Sequence, residues 1–325
     1  AYARLKNDDL IEDIVNNYEK ISFSFGPLLI SYLKNKYNKL YNLIVEADKE
    51  SSSKFSGHGN AIAQPYAHII LPLSTKQNRE RAIYWGIKYF EKTFDRYPEG
   101  FWLPEAAVDN QTLEILSNYG IKFVILSPHQ AKAVKSESDF IEVNEKKLDT
   151  KIPYRALLPS GNDIGVIFYN RWLSGLVAFG DLLKSGELFA RRLIESFDNS
   201  GSPQLVSIAT DGETYGHHKP KGEEELAKAL SIIESSGINI TNYSYYFSTY
   251  GPRFDVIINE NTSWSCPHGI ERWRSNCGCA SEIRPGWSQE WRAPLRKSID
   301  WLSNIAEDTI QKLGPQVSID INNAI

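Results

Sequence analysis

Methionine is missing from all 325 residues, cysteine occurs only three times, and neither sign of charge is in marked excess, with 36 basic against 40 acidic residues. No run approaches the roughly 18 consecutive apolar residues of a membrane-spanning helix. Each shortage excludes something. The balanced charge, formally -4, leaves out the basic footprint of a nucleic-acid binder. The missing apolar run leaves out a membrane partner. The start, AYARLKNDDL, has no basic stretch followed by an apolar one, so no leader is read there and a cytoplasmic protein is expected. The absence of methionine has no structural explanation; a chain that starts at Ala1 points to a processed or truncated N-terminus.

Hydrophobic residues make up 42% of the chain, enough for the core of one large domain. Aromatics reach 12%, with 17 Tyr and eight Trp, and such flat amphipathic rings serve either sugar stacking or core packing. Short β-rich runs alternate with amphipathic ones. An apolar run ending in FWLPE leads to Asp109 as an N-cap, to Leu113, Ile115 and Leu116 on one helical face, to a closing Gly120, and to IKFVILS. A second unit runs from DIGVIFYN at 163–170 through a helix around 181–197 to QLVSIAT at 204–210, then into EEELAKALSIIES. This alternation predicts an α/β fold with a mainly parallel sheet. Residues 131–152 are charged and read as an excursion. A barrel domain is expected over 1–250. A segment over 251–325, holding the cysteines and ending in helices near 288–312, is expected to pack on it.

Two apolar runs end in an acid: FWLPE in Glu105, and QLVSIATDGE in Asp211 with Glu213 two residues on. In barrels of alternating strands and helices the site forms at the C-terminal strand ends, so both acids are expected in one mouth. Either acid alone could cap a helix. Together they are the pair that glycoside hydrolysis needs, one donating a proton to the leaving oxygen and the other attacking the anomeric carbon or activating water.

These acids fall in ordered blocks: GHGNAIAQPYAHIILPL (57–73), PEGFWLPEAAVD (98–109), LSPHQA (126–131), PQLVSIATDGETYGHH (203–218) and SWSCPHGIERWRSNCGC (263–279). The set resembles a subgroup of glycoside hydrolase family 57. The resemblance implies an incomplete (β/α)7 barrel followed by helices, and a retaining hydrolase or transglycosylase acting on α-glucans, of the amylase, 4-α-glucanotransferase or branching-enzyme type. It makes Glu105 the nucleophile and Asp211 the acid/base, with no metal or nucleotide cofactor for the chemistry. His58, Trp102, His129, Glu213 and His217 are assigned to the substrate site by the same resemblance. The family opens with a first strand carrying a His-Gln-Pro type block, and nothing comparable is found at the start of this sequence, so either the chain lacks an N-terminal segment or the barrel is incomplete.

Trp264, Trp273 and His268 in the last block are read as cleft-wall residues, with core packing the competing explanation. Cys266, Cys277 and Cys279 with His268 make up a Cys3His set suited to zinc in a reducing compartment. Cys-Gly-Cys is tighter than the usual spacing, and packed reduced cysteines are the preferred reading. His217 and His218 are adjacent, and in an extended segment would point opposite ways, which argues against a shared ion. Two other functions stay open. A metal-dependent polysaccharide deacetylase would use an Asp and two His, although the spacing of its motifs is not reproduced; a non-catalytic glucan-binding barrel would follow from an incomplete subsite.

Overall fold

The computed structural model describes residues 2–7, 10–279 and 284–317. The chain opens with an antiparallel hairpin, β1 (Tyr2–Asn7) and β2 (Leu10–Asn16), which forms a separate two-stranded sheet. Helices α1 (Pro27–Lys36), α2 (Asn38–Lys54) and α3 (Lys76–Phe94) follow. Between and around them, residues 23 and 61–63 run as the outer rails of the main sheet: Phe23 bridges Ala61, and Ala63 bridges Phe101, both in parallel. These contacts are single bridges and not ladders.

The main sheet has seven strands. They are β3 (Gly100–Phe101), β4 (Phe123–Leu126), β5 (Ala131–Ser136), β6 (Asp139–Glu142), β7 (Pro153–Leu157), β8 (Asp163–Phe168) and β9 (Phe254–Ile258), in the order β3-β4-β8-β7-β9-β5-β6. The α/β expectation holds, and the barrel is open. The sheet is mixed and not mainly parallel: β3, β4 and β8 are parallel, whereas β7 pairs antiparallel with β8, and β5 is antiparallel to both β6 and β9. The remaining helices are α4 (Asn110–Asn118), α5 (Arg171–Ala178), α6 (Gly186–Ile194), α7 (Gly222–Ser235), α8 (Tyr243–Tyr250), α9 (Glu271–Arg274) and α10 (Arg292–Val317). Among the described residues, no helix is long and apolar enough to cross a membrane.

Three expectations change. The charged stretch at 131–152 supplies β5 and β6, and its charge suits an edge, since β6 is exposed along its length. The boundary at 250/251 is not a structural break, because β9 inserts between β7 and β5. QLVSIAT is extended but makes no ladder. The flank of β8 that a following parallel strand would occupy is taken by β7 through a tight hairpin, so residues 204–210 reach the frame only at points: Leu205 N–H to Lys151 O (2.8 Å), and Ser207 O from Asn170 N–H (2.8 Å).

The main core gathers Phe101, Leu103, Val124, Leu126, Val166, Phe168 and Val256 from the strands with Ile83, Ile87, Leu113 and Leu116 from the helices. Two buried ion pairs pin the loops around it. Arg96 holds Asp48 through Nε and Nη2, each at 2.8 Å, while Asp48 also accepts the Ala61 N–H at 2.7 Å. Gly59 lies against this pair: a Cβ there would stand 2.4 Å from Asp48 Oδ1 and 2.5 Å from Arg96 Nη2. Gly59→Ala is therefore expected to cost about 1–3 kcal/mol by overpacking. Urea unfolding checks it, and an unchanged midpoint would remove this role for the glycine. The second pair, Arg79 with Asp109 at 2.8 Å, fixes the start of α4, where Asp109 also caps the Thr112 N–H at 2.8 Å.

Candidate active site

β3 ends at Phe101, and the chain then passes Trp102, Leu103 and Pro104 to reach Glu105. Gly100 lets this strand lie close to β4, since a Cβ there would meet the Phe123 ring at 2.4 Å. Glu105 and Ala106 both take left-handed backbone conformations, with φ 58° and 48°. Such conformations in non-glycine residues cost roughly 1–3 kcal/mol each and persist only where the surroundings over-determine them.

Here the surroundings are identifiable. Residues 259–264 run antiparallel to the Glu105 loop and strap it down: Val108 N–H donates to Thr262 O (3.1 Å), Asn261 N–H to Val108 O (2.8 Å), and Trp264 N–H to Glu105 O (3.0 Å). The fully buried Gln130 donates from Nε2 to Ala106 O at 2.7 Å and to Thr262 Oγ1 at 3.1 Å, while its Oε1 accepts the Ser127 N–H. Trp264 adds an indole N–H to Glu105 Oε2 at 3.2 Å. That bond holds one carboxylate oxygen and leaves the other to the cleft. Trp102 meets Trp264 edge-on at 5.0 Å, and Tyr169 meets it at 6.2 Å, so the carboxylate sits against an aromatic wall.

Asp211 arrives at the end of the extended 204–210 segment. Ala209 N–H donates to Ser174 Oγ of α5, and the Asp211 carbonyl accepts Thr214 N–H in the turn that follows. Although the residue as a whole is exposed, its carboxyl is pushed above the ordinary aspartate value. Partial burial is the largest cause, followed by the negative charges of Glu213 and Glu105, with His218 and His68 acting the other way. The charge of Glu105 thus reaches Asp211, and the Asp211 carboxyl is biased to keep its proton. Removing the Glu213 charge must lower the Asp211 pKa. In Glu213→Gln the alkaline limb of a pH–rate profile is thus expected to move to lower pH. A limb that stays or moves up would contradict this coupling.

Several candidates from the blocks lie elsewhere. His58 is held on both ring nitrogens, by Glu99 at 2.8 Å and by Ser248 Oγ at 3.0 Å. Glu99 precedes β3 and Glu105 follows it, so the groups holding His58 lie at the strand end away from Glu105. His129 is also committed: Nε2 donates to Ser263 O at 3.0 Å and Nδ1 takes the Ser127 hydroxyl at 2.9 Å. Burial pushes it below the ordinary histidine value, against the Ser263 carbonyl, and it acts as a neutral strut under the 259–264 strap rather than as a ligand of sugar hydroxyls.

His217 and His218 occupy a turn, not an extended segment, so their rings do not diverge; they stand 4.9 Å apart. The charges of His218 and His68 reach the Asp211 carboxyl, and His217 lies beside His218. His68 and Gln130 are the residues that sequence reasoning passed over, and both lie inside the quoted blocks. Trp273 lines a cavity of about 720 Å³ between residues 69–78 and α10, apart from Glu105 and Asp211. His268 sits with the cysteines and not with the carboxylates: its Nδ1 is 3.7 Å from Cys266 Sγ and 3.4 Å from Cys279 Sγ. Asp211, His68 and His218 have the residue types of a deacetylase metal site. Among the described residues, however, the group whose donor atoms converge as metal ligands is the Cys266, His268, Cys277 and Cys279 set.

Residues 8–257 match the model of glycosyl hydrolase family 57. The chain belongs to that family. Residues 287–325 match a further model, described as a domain of unknown function, DUF3536. A 1,4-alpha-glucan branching enzyme of Thermococcus kodakarensis is 20% identical, over 76% of this chain and 50% of its own length. The chain thus spans about half the length of the curated relative it matches. Two solved structures are similar in fold. An exo-type maltose-forming amylase from Pyrococcus sp. ST04 superposes with a TM-score of 0.69 at 19% identity, covering 91% of this chain and 55% of its own. A 4-alpha-glucanotransferase from Thermococcus litoralis gives 0.60 at 16% identity, covering 91% and 40%.

Proposed function

We propose that this family 57 chain is the catalytic part of a retaining glycoside hydrolase or transglycosylase acting on α-glucans. The observation that supports this most is the pair itself: Glu105, held in a strained loop with an indole N–H on one oxygen, within electrostatic reach of Asp211, whose carboxyl is biased toward its protonated form. A nucleophile has to be ionised and positioned, and an acid has to hold a proton at working pH. Glu105 is positioned by its loop, and the Asp211 carboxyl is raised.

The chemistry follows in two displacements. The Glu105 carboxylate attacks the anomeric carbon while the Asp211 proton passes to the glycosidic oxygen; the C–O bond breaks and the departing sugar leaves as an alcohol. Asp211, now ionised, takes a proton from water or from an acceptor sugar hydroxyl. That oxygen attacks the anomeric carbon and releases Glu105. Trp102 and Trp264 form the aromatic wall beside the reacting ring, and Glu213 raises the acid. Water as acceptor gives hydrolysis, and a sugar hydroxyl gives transfer or branching. A branching enzyme, an amylase and a glucanotransferase are the activities that its relatives' names carry.

The test is the stereochemistry of the first product from maltoheptaose or amylose, followed by proton NMR before mutarotation. The α-anomer, or a new α-linked glucan, is expected. Initial release of the β-anomer, or glucan binding without turnover, would overturn the reading in favour of inversion or of a binding protein.

A further inference from the structure

We propose that Cys266, His268, Cys277 and Cys279 bind one zinc ion in a closed structural site, which fastens the strap behind the Glu105 loop to the segment leading into α10. The four donor atoms all lie within 4.8 Å of one another. Cys266 Sγ is 3.5 Å from Cys279 Sγ, and the His268 Nδ1 stands 3.7 Å and 3.4 Å from these two sulfurs. A tetrahedral zinc with Zn–S near 2.3 Å and Zn–N near 2.0–2.1 Å requires edges of roughly 3.8 Å between sulfurs and about 3.6 Å between sulfur and nitrogen. The three separations among Cys266, Cys279 and His268 are of that size, and Cys277 offers its sulfur within 4.8 Å of each.

The donor set is complete without a water, as in structural rather than catalytic zinc sites, and three thiols with one imidazole select zinc over the hard cations. Every cysteine in the chain goes into it, and all three are free thiols in the structure. The tight Cys-Gly-Cys spacing is accommodated at Gly278, whose φ of +83° bends the chain between Cys277 and Cys279. Around the site, Arg292 Nη1 donates to Cys277 Sγ at 3.5 Å, and the Cys277 thiol donates to Oε1 of the buried Gln289 at 3.4 Å. The guanidinium is the outer partner that orients this ligand and stabilises its thiolate charge. On the other side, Cys266 is two residues from Trp264, and the Cys266 carbonyl accepts the Gly269 N–H that starts the turn to His268. The ion would join the turn at 266–268 to the segment at 277–279.

The experiment uses the full chain purified without added metal. Elemental analysis is expected to give close to one zinc per chain. After removal of metal, Co(II) alone is expected to bind one equivalent and show thiolate charge-transfer and tetrahedral d–d bands. His268→Cys should retain the metal as a four-thiolate site, while Cys277→Ser with Cys279→Ser should lose it and melt several degrees lower. Should that double variant fail to fold, the Co(II) titration of the native chain still decides. Zinc well below stoichiometry with no cobalt bands, a Cys266–Cys279 disulfide in freshly purified protein, or three freely reactive thiols would each overturn the proposal. None of these readouts involves turnover, so the glucan reading stands or falls separately.

Discussion

Glu105→Gln is expected to lose turnover on α-glucans by a factor on the order of 10⁴ or more, with its melting temperature close to that of the native chain. The amide cannot form the glycosyl-enzyme, and covalent catalysis is lost outright when its nucleophile is removed. The fold should survive because the features that hold the loop do not depend on the charge. The Trp264 backbone N–H still meets the residue 105 carbonyl, Gln130 still meets the Ala106 carbonyl, and the indole N–H can donate to the amide oxygen. Steady-state rates together with a thermal melt check both halves. Native activity in this variant would remove Glu105 from the chemistry. A collapsed melt would show that its charge serves folding instead.

The second large effect belongs to Asp211. Asp211→Asn is expected to slow cleavage of an unactivated glucan by roughly 10²–10⁴, the usual range for loss of a general acid. With an α-glucosyl fluoride the glycosylation step should lose far less, because fluoride leaves without a proton. The contrast between the two substrates matters more than either rate. Equal losses on both would point to a damaged subsite rather than a missing proton donor. Glu213 offers an internal control, since its charge raises the same carboxyl.

How much of this was legible in the residues depends on the range of the interaction. Local patterns were readable: Asp109 caps α4 as its position before an amphipathic run suggests, and FWLPE ends a strand with its acid at the open end. The family blocks brought Glu105 and Asp211 together. Interactions that close over long sequence separations were not readable. Nothing near Glu105 announces that residues 259–264, more than 150 positions on, strap its loop. Gln130 looked less reactive than its neighbour His129. Yet the amide, with two donors and an acceptor, can satisfy three groups in a buried junction, while the imidazole is spent on Ser127 and Ser263.

The misreadings have physical causes too. QLVSIAT has the composition of a central strand, but composition cannot reveal that β7 folds back on β8 and takes its pairing edge. The two adjacent histidines were placed by a rule for extended chains, and the chain there turns. For the cysteines, the short Cys-Gly-Cys spacing hides two features that only the fold displays, the left-handed Gly278 and the approach of His268 to the same sulfurs.

The central claim is that Glu105 forms a covalent bond to the anomeric carbon while Asp211 manages the proton. Peptide mass spectrometry after incubation with a slow, activated glycosyl fluoride tests it most directly. The account predicts one added glycosyl unit on the peptide that contains FWLPE, localised to Glu105, formed in the native chain and absent from Glu105→Gln. An adduct on Asp211 or Glu213, or turnover of the fluoride with no adduct under any quench, would contradict it.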